Sequence, residues 1–185
     1  VGNKYKYGIS HLAVAPISIV DGVYTYGALT FWPGAVAITL SPNGNIEPFE
    51  ADNRDYVVID KSEGYDCEVE TAYIPDEIAS LILAMTEDSK KVATEYAGKI
   101  YPQFALLGQF QGDVHNRRFA LMDCVVSARP EVAAKTAKTG TPETVKLKIA
   151  ARPRITDNLV KLHTKSTTDA TVYNNWFTAV QEPAA

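Results

Sequence analysis

Along much of the chain, apolar and polar residues alternate with a period of two, as in strands that bury one face. Val36-Ala37-Ile38-Thr39-Leu40 is such a run, and Ser41-Pro42-Asn43-Gly44 after it reads as a turn. Tyr56-Val57-Val58-Ile59 is a short apolar run that breaks at Lys61-Ser62-Glu63-Gly64. Tyr65 to Thr71 alternates strictly, with Asp66, Glu68 and Glu70 on one face and apolar residues on the other. Phe104 to Leu107, Arg118 to Val126 and Val145 to Ile149 complete the set. Strand runs separated by Gly, Pro and Asn turns predict a mainly β fold, an antiparallel sandwich or barrel.

One segment follows the helical period instead. Pro75 suits a helix start, Asp76 and Glu77 suit its positive end, and Ile78, Leu81, Ile82 and Met85 share a face. A helix over about 75–85 is expected to pack that face on the sheet. Four segments show neither period: an arm at 1–20, a loop at 41–55, a linker at 130–144 and a tail at 152–175 before Trp176-Phe177. Long structureless connections are usually functional or disordered, so these are expected to order against neighbouring subunits.

Composition narrows the function classes. At 185 residues, with 46% hydrophobic and 22% charged residues, the chain fits one globular domain, 1–185. A formal charge of −4 disfavours a surface that grips nucleic acid by neutralising phosphates, but not one along which nucleic acid slides. The first residues carry no apolar run, so no secretory leader is expected; no membrane span is expected either, and folding is expected in a cytoplasm. Cys67 and Cys124 lie in strand runs and read as buried thiols, with a disulfide as the alternative. His11, His115 and His163 are scattered, with no metal-ligand spacing, and no phosphate loop, dinucleotide fingerprint or nucleophile elbow occurs. Asp113-Val114-His115 lacks a nearby nucleophile, and Arg117-Arg118 reads as salt bridging at a subunit contact or solvated charge, with a phosphate clamp as the alternative. No catalysis, cofactor or metal is expected.

An ordered series of motifs resembles the major tail proteins (tail tube proteins) of siphophages and prophages of Gram-positive hosts, over nearly the whole chain. It runs from Lys4-Tyr5-Lys6-Tyr7-Gly8-Ile9 through Pro33-Gly34-Ala35-Val36 and Leu40-Ser41-Pro42-Asn43-Gly44 to Phe49-Glu50-Ala51-Asp52-Asn53, ending at Tyr56. Gly64-Tyr65, Ile74-Pro75-Asp76, Pro102 to Leu107, Phe110-Gln111-Gly112-Asp113 and Arg117-Arg118-Phe119 follow. Pro142-Glu143-Thr144, Pro153-Arg154 and Tyr173-Asn174-Asn175-Trp176-Phe177 close it. Lys146 and Lys148 depart from the family's Thr-rich strand and leave open how acidic a lumen face would be.

The resemblance implies a tube-forming β-sandwich or barrel flanked by a helix. Hexameric rings of it stack into a hollow tail through which DNA leaves the capsid, in a virion assembled in the host cytoplasm. Implied partners are further copies of the chain, the tape measure protein, and tail terminator and baseplate proteins. On this reading Asp66, Glu68 and Glu70 are lumen-facing candidates, with cross-strand pairing to Lys146 and Lys148 as the competing role. Phe49, Asp52, Asn53 and Tyr56 on the 41–55 loop are inter-ring candidates, and Arg117, Arg118, Trp176 and Phe177 further inter-subunit candidates. A surface- or carbohydrate-binding module using Tyr24, Tyr26, Phe31 and Trp32 is the rival of another class. A bacteriocin or type VI secretion tube shares the fold.

Overall fold

The computed structural model describes the backbone of residues 7–51, 54–112, 114–133 and 143–183, and their side chains outside 45–62. In chain order the elements are β1 (Ile9–Val20), β2 (Val23–Tyr26), β3 (Thr30–Phe31), β4 (Ala35–Ala51), β5 (Arg54–Thr71), α1 (Asp76–Ile82), β6 (Thr86–Glu87) and β7 (Ala93–Thr94). Then come β8 (Phe104–Phe110), β9 (Arg118–Glu131), β10 (Val145–Ala151), β11 (Lys161–His163) and α2 (Ala170–Asn174). The fold is mainly β and antiparallel, as the alternation predicts.

The main sheet runs β2-β1-β8-β9-β10-β5-β4, with β3 on β1 and β11 on β9. Strand β9 belongs to two wings. Its first half pairs with β8 up to Cys124, and its second half pairs with β10 from Cys124 to Glu131. Leu12, Val14 and Leu106 from one wing meet Cys67, Val69, Leu147 and Ile149 from the other in a common core. Each such side chain, moved out of water, contributes roughly 1.5–3 kcal/mol. Ile78 and Ile82 of α1 are buried in this core, with Leu81 and Met85 packed against it. That is the face the helical period selected; Pro75 holds the position just before the helix.

A second apolar cluster lies on the other face of the β1–β8–β9 wing. Ala13, Ala15, Ala105, Leu107, Ala120 and Met122 form its floor, and Trp176 covers them with Leu159, Leu162, Phe177 and Val180 around it. The middle of β1, Leu12–Ala15, is therefore buried on both faces. Where β5 passes β10, Gly64 adopts φ +114°, and a Cβ there would stand 2.0 Å from the Ala151 carbonyl oxygen. Only glycine fits.

Three of the four supposedly irregular segments are ordered differently. Residues 9–20 form a core strand, and 41–55 lies almost wholly within β4 and β5. The tail at 152–175 contains β11 and α2 and leads into the Trp176 cover. In the linker, β9 extends to Glu131, and 134–142 lies outside the described residues.

Candidate assembly surface

Because Cys67, Val69, Leu147 and Ile149 point into the core, pleating turns Asp66, Glu68, Glu70, Lys146 and Lys148 to the opposite face. Asp66, Glu68 and Glu70 do line one face. The register sets Lys148 opposite Glu68 and Lys146 opposite Glu70, while on the other flank Thr39, Ser41 and Ala37 face Glu68, Asp66 and Glu70. Lys146 Nζ reaches Glu68 Oε1 diagonally at 3.9 Å, with both side chains about half exposed (51% and 43%). Thr144 Oγ1 donates to Glu70 Oε1 at 2.5 Å, and Asn43 Nδ2 donates to Asp66 Oδ1 at 3.5 Å. A shallow depression of about 470 Å³ between Thr39, Ser41, Asp66, Glu68, Ser127 and Lys148 marks the middle of this face. Over the paired stretch Tyr65–Thr71 and Val145–Ala151, three carboxylates against two ammonium groups leave one net negative charge. The face is a mixed-charge strip, and exposed pairs of this kind each contribute ~0–1 kcal/mol.

Among the described residues neither margin of the strip carries a paired strand. β4 ends the sheet, and among the described residues no strand pairs with Val125–Glu131 of β9 on the side away from β10. Below the wing, β4 and β5 continue together. β10 pairs with β5 only over Tyr65–Thr71, whereas β4 and β5 pair on to Ala51 and Arg54. The outer part of the hairpin is thus a two-stranded arm with no third strand among the described residues. An isolated two-stranded ribbon is at best marginally stable in water.

The inter-subunit candidates fare unevenly. Phe49 and Tyr56 lie on the arm's strands and their side chains, like Asp52 and Asn53 altogether, fall outside the described residues. Trp176 is 4% exposed and buried in its own chain, so it does not present its ring to a neighbour. Its position far from any periodic segment hid that role. Arg118 is engaged internally: Nε donates to Gln109 Oε1 at 2.9 Å, Nη1 donates to the Tyr173 carbonyl, and the guanidinium lies 3.8 Å from the Tyr173 ring centroid. Phe177 is half-buried, stacked on His11 at 5.3 Å between centroids. Arg117 is exposed just before β9, bordering a small pocket with Arg118, Lys161 and His163.

The rival aromatic platform does not form. Trp32 is buried with Nε1 donating to the Tyr73 carbonyl, Tyr24 Oη donates to Asp123, and Tyr26 Oη donates to the Met122 carbonyl. Only Phe31 is exposed, at 51%.

Two polar centres escaped the sequence reading. Asp123 is buried and accepts from Gln103 Nε2 at 3.1 Å and Tyr24 Oη at 3.2 Å, with Arg152 at 3.7 Å. Arg154, also buried, holds Asp157, Glu182 and the Tyr26 hydroxyl together. Hydrogen bonding from Arg154 keeps the Asp157 carboxyl below its usual range, and burial pushes the Tyr26 phenol up to about 12. Both centres join distant segments, so no local spacing announces them. They read as structural ties, because each polar group is satisfied within the chain.

Cys67 and Cys124 are buried free thiols; burial raises Cys67 to about 12 and Cys124 well above its ordinary value. Among the described residues no group of three His, Cys, Asp or Glu could hold a metal, and no helix is long and apolar enough to cross a membrane. Asp113 lies outside the described residues. A search for matching family models and for similar curated proteins finds none.

Proposed function

We propose that this chain is a structural, non-catalytic subunit of a bacteriophage tail tube, forming hexameric rings that stack around a DNA-conducting lumen. The observation that carries the reading is the wing β9–β10–β5–β4, with a polar outer face and two edges that no strand pairs among the described residues. All its neighbours are antiparallel and the strand count is even, so β4 runs opposite to β9. Copies placed head to tail around an axis therefore set β4 of one beside the second half of β9 of the next, already antiparallel. Closing the ring removes both exposed edges at once, which is how barrels escape uncontrolled edge pairing.

In such a ring the mixed-charge strip lines the lumen. A wall carrying only lysines would hold phosphates through counterion release. Here Glu68 and Glu70 neutralise Lys148 and Lys146 across the register, and the small surplus is negative. Phosphates gain no lasting partner, and DNA slides. The β4–β5 arm projects beyond the wing and supplies a contact to the adjacent ring, completing its two-stranded ribbon there. The tape measure protein would occupy the lumen before DNA, with terminator and baseplate proteins at the tube's ends.

Negative-stain microscopy of concentrated protein tests the reading: rings or tubes are expected, and a monodisperse monomer at every concentration would refute it. Deleting 45–61, closed by a two-residue turn at the registered pair Gly44 and Ser62, should leave a folded body that does not stack.

A further inference from the structure

The side of β9 away from β10 is flanked by the segment after β7. Arg129 Nε donates to Glu95 Oε1 at 2.7 Å and Gln103 Nε2 donates to Asp123, so residues 95–103 are tied to this half of β9 through side chains at both ends, leaving its backbone edge unpaired among the described residues. This segment carries Tyr96, 59% exposed, with Lys99 Nζ 5.2 Å from its ring centroid, and Ile100, 92% exposed. Tyrosine is enriched among the anchors of interfaces, and this one stands on an irregular segment beside a strand half with no paired neighbour among the described residues.

The opposite margin has the matching feature. Between β1 and β4 lies a groove of about 310 Å³, lined by Tyr7, Ile9, Val36, Ile38 and Phe110, with no charged side chain among the described residues. The register relates the two margins. Arg129 lies between Ala128 and Glu131, which pair with Lys148 and Lys146, then with Glu68 and Glu70, and so with Thr39 and Ala37 of β4. Tyr96 follows the residue bonded to Arg129 at one end of those ladder rows, and Ala37 at the other end lines the groove.

We propose that Tyr96 seats in the β1–β4 groove of the neighbouring copy and locks the edge pairing, an inference that rests on head-to-tail association of this wing. The occupant is a second copy of this chain. The ring of Tyr96 supplies the apolar body, and its hydroxyl stays at the groove's mouth, as suits an interfacial tyrosine.

The pair Val36→Cys and Ala97→Cys places thiols at the groove rim and beside Tyr96, both on exposed positions, while Cys67 and Cys124 stay buried. Oxidation of the double variant should give a ladder of cross-linked multimers, and each single variant at most a dimer. Tyr96→Ala should raise the concentration needed for assembly roughly tenfold or more, as loss of a buried aromatic contact implies, and Tyr96→Phe should restore most of it. Tubes without a ladder, or Tyr96→Ala assembling as the parent does, overturns this contact and leaves the tube reading standing. A ladder without rings or tubes by microscopy keeps the contact and removes the tube. Neither ladder nor assembly removes both.

Discussion

Replacing Trp176 by Ala separates two roles the sequence could not tell apart. The indole is 4% exposed and lies on a floor of Ala13, Ala15, Ala105 and Ala120, strand residues too short to move into the space it leaves. Its Nε1 is 3.5 Å from the Phe119 carbonyl oxygen, a bond too long to add much. The cost is then packing and transfer, about 3–5 kcal/mol for a buried aromatic cut to Ala. In a domain of this size that lowers the melting temperature by roughly 6–20 °C. Urea unfolding followed by tryptophan fluorescence reads it directly, because Trp32, 2% exposed, becomes the remaining indole and reports the main core. A midpoint unchanged from the parent, with assembly alone impaired, would mean that the ring serves a neighbour and that its burial here is misread.

Three further outcomes are expected. Gly64→Ala meets the Ala151 carbonyl at 2.0 Å in a left-handed backbone, so a loss of at least ~2 kcal/mol is expected in chemical denaturation; a stability equal to the parent's would show that β5 and β10 can part there. In the native protein neither Cys67 nor Cys124 should react with a thiol reagent at pH 8, since burial keeps both protonated, and both should react in denaturant. Acid should loosen the Arg154 tie. The folded Asp157 carboxyl titrates below its unfolded value, so its contribution is complete above the ordinary range and is lost as pH falls through the lower folded value, below about pH 4. Amide exchange at Leu159, whose N–H donates to Asp157 Oδ1 at 3.1 Å, should accelerate there beyond the intrinsic pH effect; unaltered protection would discount the tie.

What could be read from the sequence follows from how each residue is covered. Tyr65 to Thr71 and Val145 to Ile149 each have one wet face, so period-two alternation reveals the strands and the facing of Glu68 and Glu70 with Lys148 and Lys146. Ile78 and Ile82 mark the helix for the same reason. β1 hides because Leu12 and Val14 face one core while Ala13 and Ala15 face another, and a doubly buried strand shows no alternation. Pro42-Asn43-Gly44 reads as a turn, yet β4 continues through it: β4 is an edge strand, where the missing N–H of proline can go unpaired, and the register shifts at Asn43/Gly44. The open edges of the mixed-charge strip come from sheet order, which no local window contains. The same holds for the Asp123 and Arg154 centres.

The double burial of β1 also constrains the order in which this polypeptide can mature. Ile9–Val20 can pair with β2 and β3 as soon as these are made, but its other ladder partner, Phe104–Phe110, and the indole that covers its far side are made much later. Until then the apolar stretch Leu12–Ala15 has one edge and both faces uncovered. Nascent chains should therefore depend on holding factors, and their slow step should be the late capture of that stretch from both sides.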